Sequence, residues 1–306
     1  MDNALESLIN QYTISEPGDY ENSLKEVVQY LALLGLWRAK FFEHAAFYGG
    51  TALRLFYGLR RYSEDMDFSL LQKSDDFNLS AYLEAIKKEL EGFGFQMSVR
   101  RKEKSAGSQI ESAFIKGNTI NNLLAISVPE SYTSKIQKNK KLKVNIEVDI
   151  DPPGYARYDV ETLLTPIPFQ VKLFSKPDLF AGKLHAVICR QWKNRVKGRD
   201  LYDFLWYLGN RIPCRLNHLE ARMRQTEHWT ADRKLSHDDV LEMLKARFKT
   251  IDFDTVKADV APFLGDPHEL DLWSMDFFLA AVNKLTAVYP SGKPEDFRSC
   301  VAEGPK

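Results

Sequence analysis

Phe47-Tyr48-Gly49-Gly50-Thr51-Ala52-Leu53-Arg54 and, a few residues on, Arg61-Tyr62-Ser63-Glu64-Asp65-Met66-Asp67-Phe68 decide how the chain is read. The first stretch opens a short helix through two glycines. The second is an apolar strand interrupted by two carboxylates one residue apart. Successive side chains of a strand point to opposite faces, so Asp65 and Asp67 share one face and Met66 and Phe68 the other. The start of a helix offers unpaired backbone N–H groups and the positive end of its dipole, and glycine lets a ligand approach closely. Gly49, Gly50 and Thr51 therefore read as a phosphate cradle, and Asp65 and Asp67 as ligands for a magnesium ion, which favours a few carboxylates together with phosphate oxygens and water.

Working outward, residues 4–46 carry apolar positions at helical spacing in two runs, Leu5-Leu8-Ile9 and Leu24 to Leu36, with Pro17-Gly18 between them. Trp37, Phe41 and Phe42 are expected to pack on the sheet that follows. Thr51–Leu59 reads as a helix, Asp65–Leu71 as a strand, and Leu79–Glu91 as an amphipathic helix stopped by Gly92-Phe93-Gly94. Residues 95–128 alternate in the manner of antiparallel strands. Lys143–Asp151 is a clear strand that buries Val144, Ile146, Val148 and Ile150 and turns Asn145, Glu147, Asp149 and Asp151 the other way. Acids in a row on one strand face repel one another unless a cation relieves them. Glu147, mid-strand, is the expected third carboxylate of the magnesium set, with Asp149 as the alternative.

After Pro166 and Pro168 the pattern reads as helical to the end, which divides the chain into a sheet domain over 1–165 and a helical domain over 166–306. Helices are expected at Leu179–Arg195, Leu201–Leu208, Val240–Phe248 behind the cap Ser236-His237-Asp238-Asp239, and Leu270–Leu285. Lys183 and Arg190, seven residues apart, fall on one helix face and can contact a nucleotide. Asp200 and Asp203 can orient them, or bind base or metal. His185 and Cys189 are spaced i, i+4, a pair that reads as packing without further ligands.

Lys+Arg and Asp+Glu are each 42 in 306 residues, so overall charge points to no partner. Local charge does: residues 94–143 hold ten Lys/Arg against three acids, and 183–199 six against none. Such blocks beside a phosphate site suit a polyanion. Three widely spaced cysteines, Cys189, Cys214 and Cys300, give neither a disulfide framework nor a zinc motif, and fit a reducing, cytoplasmic setting. No apolar run reaches the roughly 18 residues of a membrane span, so no membrane partner is expected.

These motifs, with Lys183-Leu184-His185-Ala186, Arg190, Lys197-Gly198-Arg199-Asp200-Leu201-Tyr202-Asp203, Ala258-Asp259-Val260-Ala261-Pro262-Phe263-Leu264 and Trp273-Ser274, resemble the AbiEii/AbiGii-type nucleotidyltransferase toxins. The resemblance covers most of the chain from about residue 45. It implies an α+β fold of the DNA polymerase beta-like nucleotidyltransferase superfamily, with a mixed sheet, a basic antiparallel insertion and a helical C-terminal half. It also implies a MenT-like toxin of a type IV toxin–antitoxin or phage-defence pair that transfers nucleotides from an NTP to tRNA and blocks translation. The partner would be an AbiEi-type antitoxin acting as a repressor. On this carry-over Gly50 and Thr51 face phosphate, Asp65 and Asp67 bind magnesium, Lys183 contacts the nucleotide and Asp203 is the essential downstream acid. The family's third-strand acid corresponds to Glu147, Asp149 or Asp151. Competing readings are an NTP-binding module without transfer, a protein-directed transferase and a metal-dependent nuclease.

Overall fold

The computed structural model describes residue 12 and residues 17–103, 108–125, 128, 130–191 and 197–289. They form two compact units. The first contains the described residues up to Pro152, together with Arg157–Ser175 and Ala261–Pro267; the second contains Pro153–Ala156, Lys176–Val260 and the described residues from His268 onward.

The first unit is built on seven strands: β1 (Ala45–Tyr48), β2 (Met66–Leu70), β3 (Met97–Arg101), β4 (Ile110–Asn118), β5 (Lys141–Asp149), β6 (Tyr158–Leu163) and β7 (Phe169–Phe174). Their order across the sheet is β3-β4-β5-β2-β1-β7-β6. The β2–β5 and β1–β7 pairs are parallel and the others antiparallel, which makes the sheet mixed. Its helices are α1 (Pro17–Arg38), α2 (Gly49–Tyr57), α3 (Ser80–Gly92), α4 (Thr119–Ala125) and α5 (Glu130–Thr133).

Alternation along β2 and β5 sends Met66, Phe68, Leu70, Val144, Ile146 and Val148 into the core, where they join Leu24, Val27, Val28 and Leu31 of α1 and Ile86 and Leu90 of α3. Each such side chain, fully buried, contributes about 1.5–3 kcal/mol. Phe41 meets Phe68 edge-on at 5.1 Å, and Trp37 lies 6.1 Å from Phe169, so the aromatics at and just after the end of α1 pack on the sheet as expected. Gly35 lets α1 and α3 touch: a Cβ there would sit 2.7 Å from the Ile86 Cα.

The second unit holds α6 (Lys176–Cys189), α7 (Gly198–Gly209), α8 (Leu216–Gln225), α9 (His237–Phe248), α10 (Phe253–Val260) and α11 (Met275–Ala281), with a two-stranded parallel pair β8 (Cys214–Arg215) and β9 (Ala287–Val288). Phe180 of α6 stacks on Tyr207 of α7 at 4.4 Å. Gly198 opens α7 where a Cβ would lie 2.4 Å from the Val256 carbonyl oxygen, so α7 and α10 meet backbone to backbone. Ser236 closes a capping box with Asp239, as the sequence predicts.

Several expected elements change. Pro17 and Gly18 are the first residues of a helix; Leu5-Leu8-Ile9 lies outside the described residues. The strand pattern of residues 95–128 stops at Asn118, and α4 follows. The basic β3–β4 hairpin is the edge of the main sheet. Phe169–Phe174 is a strand between β1 and β6, hidden from the helical reading because its apolar run is short and bounded by prolines. Leu270–Leu285 is broken at Ser274, whose side chain caps α11 by accepting from the Phe277 N–H.

Candidate active site

The residues that the sequence singles out fall in two polar clusters, one in each unit. In the sheet, β1 and β2 pair Tyr48 with Asp67, which sets the start of α2 beside the first carboxylates of β2. The parallel β2–β5 register pairs Asp67 with Glu147 and Ser69 with Asp149. Neighbouring strands lie about 4.8 Å apart and register partners face the same way, so Asp67 and Glu147 stand side by side. Asp149 is two residues farther from the α2 start, and its carboxylate accepts the Asp151 N–H at 3.0 Å. Asp151 lies beyond the strand, paired with Lys73 at 3.3 Å. The register thus singles out Glu147 among the three candidates as the neighbour of Asp67.

Asp65 lies one residue before β2 and continues the face of Asp67. Its Oδ1 accepts a hydrogen bond from the Asn145 Nδ2 at 2.7 Å. Asn145 received no role from the sequence, although it shares the Glu147 face of β5. An amide next to two acids on one strand face is the signal that could have found it.

The α2 start is shaped for close approach. Gly49 has φ +83°, and a Cβ on it would fall 2.4 Å from the Asp67 Oδ2. A Cβ on Gly50 would fall 2.4 Å from the Nη2 of Arg61, a side chain only 3% exposed. No side chain of the N-cap Tyr48 caps the first-turn amides. The Thr51 side chain is fully buried, hydrogen-bonded to the Ser63 hydroxyl at 2.9 Å and to the Asp65 carbonyl. That hydroxyl fastens α2 to the segment leading into β2, which leaves the Thr51 backbone N–H, and not its Oγ1, to meet an anion. Gln29 of α1 holds the same segment by donating to the Ser63 and Glu64 carbonyls at 3.0 and 3.1 Å. Arg54 of the Gly-Gly-Thr-Ala-Leu-Arg run is likewise tied to the fold, bridging to Glu26 at 2.6 Å and donating to the Leu59 carbonyl at 3.1 Å.

The second cluster joins α6 to α7. Lys183 Nζ lies 2.6 Å from an Asp200 oxygen and 2.8 Å from an Asp203 oxygen, and Arg190 reaches the other Asp200 oxygen at 2.8 Å. Asp203 is fully buried and Asp200 nearly so, because α7 turns that face inward together with Tyr207. Buried carboxylates persist only with partners. Lys183 and Arg190 supply them; the helix expected over Leu179–Arg195 ends at Cys189, so Arg190 reaches Asp200 from just beyond α6.

Asp65, Asp67 and Glu147 are oxygen donors of the kind that magnesium prefers, next to a helix start that a Cβ would obstruct. The model of a protein family described as "Nucleotidyl transferase AbiEii toxin, Type IV TA system" matches residues 31–281. The protein is accordingly an enzyme of the nucleotidyltransferase class. Within that class, the chain belongs to the AbiEii toxin family of type IV toxin–antitoxin systems. Two solved structures are similar at low identity. One, a presumed nucleotidyltransferase from H. pylori, is 16% identical with a TM-score of 0.45 over 84% of this chain and 89% of that one. The other, JHP933 from Helicobacter pylori, is 17% identical with a TM-score of 0.46 over 88% and 90%. No curated protein sequence matches the chain. Among the described residues no helix is long and apolar enough to cross a membrane.

Proposed function

We propose that the protein is a magnesium-dependent nucleotidyltransferase that moves a nucleoside monophosphate from an NTP to the 3′ end of an RNA, in the first instance tRNA, and so arrests translation. The observation that carries the reading is the pairing of Asp67 with Glu147 next to a helix start whose first residue has no room for a side chain. Asp65, Asp67 and Glu147 hold the metal, with the Asn145 amide fixing the Asp65 carboxylate. The amides of Gly49, Gly50 and Thr51 take phosphate oxygens. Lys183, Arg190 and Asp200 are assigned to nucleotide binding, and Asp203 to holding Lys183. Magnesium, when bound, supplies charge neutralisation at the triphosphate and a more acidic attacking hydroxyl. The acceptor oxygen bonds to the α-phosphorus as the bond to pyrophosphate breaks, and the hydroxyl proton passes to solvent.

An RNA acceptor is favoured by the sheet face that bears the acids. Strand registers place Lys116 beside Lys143, and Arg100, Phe114 and Asn145 in one row on that face. Lys143 lies over the Phe114 ring at 5.5 Å, and Arg100, Lys116 and Lys143 are exposed. An aromatic ring ringed by cations suits an unpaired base and its phosphates. The antitoxin is assigned as an AbiEi-type repressor on the strength of the family.

The test is incubation of the purified protein with total RNA, magnesium and each α-labelled NTP. Label on RNA for one NTP, abolished in Asp65→Ala, supports the reading; no label on RNA with any NTP overturns it. Label on protein moves the acceptor to a protein, and shortened RNA points to a nuclease. Tight NTP binding without transfer, indifferent to Glu147→Gln, leaves a binding module.

A further inference from the structure

A second constellation lies in the helical unit. His185 and Cys189, one turn apart on α6, are joined by His228, and the potential ligand atoms of the three all lie within 4.8 Å of one another. His228 comes from the turn after α8. There Glu227 takes a left-handed φ of 59° and the His228 N–H bonds back to the Met223 carbonyl at 2.8 Å. This is the C-terminal motif that normally employs glycine at the left-handed position, and it folds the chain back across the helix end. The imidazoles stand edge to face at 84°. His185 Nε2 and His228 Nδ1 converge on one oxygen, the Thr226 Oγ1, at 2.9 and 3.0 Å. That hydroxyl has another partner in the Arg222 carbonyl at 3.0 Å, so it can release the rings to a different ligand.

We propose that His185, Cys189 and His228 bind one Zn2+ ion, with solvent as the fourth ligand on the exposed His228 side. Two imidazoles and a thiolate are a borderline-soft donor set that zinc takes in tetrahedral geometry, at about 2.0–2.3 Å per bond. Magnesium prefers oxygen, so this set and the carboxylates of the sheet select different ions. Arg222 and Arg190 oppose a dication at the site. The loss of the Cys189 thiol proton to solvent on coordination returns one negative charge and makes the site a zinc–thiolate. Cys189 precedes Arg190, the residue that grips Asp200, so zinc would fasten the end of α6 where the Lys183 cluster is assembled.

The full-length protein, stripped with chelator and supplied with excess Mg2+, is titrated with Zn2+ against a chromophoric competitor. Co2+ is substituted for Zn2+ in parallel. The expected result is one equivalent of zinc, a thiolate-to-cobalt charge-transfer band, and a thermal midpoint raised by zinc. Cys189→Ser loses the cobalt band and the zinc-dependent midpoint shift. His228→Gln, at an exposed position that does not endanger folding, weakens zinc binding by about tenfold or more. Asp67→Asn leaves zinc binding unchanged, which separates this site from the carboxylates. Absence of a zinc equivalent in the parent protein, absence of the cobalt band, or equal affinity in Cys189→Ser overturns the proposal. None of these readings depends on nucleotide transfer.

Discussion

The two polar clusters solve the problem of crowded carboxylates in opposite ways. On the sheet, acid neighbours acid: Asp67 stands beside Glu147 in register, Glu147 is exposed, and Asp65 is met by the neutral amide of Asn145. Between α6 and α7, Asp200 and Asp203 are withdrawn from solvent, and the chain itself supplies Lys183 and Arg190 to neutralise them. The first arrangement leaves the Glu147 carboxylate facing solvent, where a cation can reach it. The second is electrically closed, and its charges are committed to one another. Substitution should therefore damage activity without stability in the sheet, and both together in the helical unit.

The sharpest test is Asp67→Asn. It removes an anionic metal ligand and is expected to lower transfer by about three orders of magnitude, the scale of losing a preorganised electrostatic group. The substitution is isosteric, so the thermal midpoint should change far less than transfer does. A melt several degrees lower would show that the sheet acids are structural after all. Lys183→Met should behave in the reverse manner. It removes the ammonium that lies 2.8 Å from the fully buried Asp203, for which a loss of about 3–5 kcal/mol is expected, measurable by urea denaturation. Lys183→Met with Asp203→Leu should recover much of that stability while transfer stays low. If the double variant stays as unstable as the single one, the cluster is not closed in the sense drawn here.

Asn145→Leu probes the border between the two behaviours. The side chain donates to Asp65 but carries no charge, so the fold should persist and transfer should fall about 10–100-fold, as for groups that orient a metal ligand. The loss should appear as a higher magnesium requirement in the transfer assay. An unchanged magnesium dependence would remove Asn145 from the site.

How much of this was legible beforehand follows from the range over which each signal acts. The helix start at Gly49-Gly50 and the Asp65/Asp67 alternation are local patterns with a fixed period, and both reappear in the fold. Lys183 and Arg190 were placed on one face by spacing alone, and Asp200 accordingly bridges them. Glu147 could not be separated from Asp149, because that choice depends on the β2–β5 register across about eighty intervening residues. Asn145 and the buried role of the Thr51 hydroxyl were missed for the same reason: each depends on a partner from another element. The strand Phe169–Phe174 was absorbed into a helical reading because periodicity over six residues does not distinguish the two. His228 lies about forty residues from Cys189 in sequence, joined to it only by the α6–α8 packing.

The smallest expected effect concerns pH and again divides the units. His218 of α8 is fully buried, and its Nδ1 donates to the Gly154 carbonyl at 2.8 Å, which places a hydrogen on Nδ1. Burial, with smaller contributions from the Arg222 and Arg215 charges and His185 and against the Gly154 hydrogen bond, holds the imidazole down to about 3 from an ordinary 6.5. The unfolded chain therefore binds a proton between these limits that the folded chain refuses, and protonation favours unfolding. Stability from this group is complete above about pH 6.5, falls as pH drops, and is lost toward pH 3. At pH 5 the loss is about 2 kcal/mol, from 1.36 kcal/mol per unit over about 1.5 units. Urea titrations at pH 7 and pH 5, read by amide hydrogen exchange, should place that loss in the helical unit, and His218→Asn should flatten the slope while keeping a donor for Gly154. An equal acid sensitivity in the sheet unit would mean that its carboxylates, too, are engaged in holding the fold, and the contrast between an open and a closed cluster would fail.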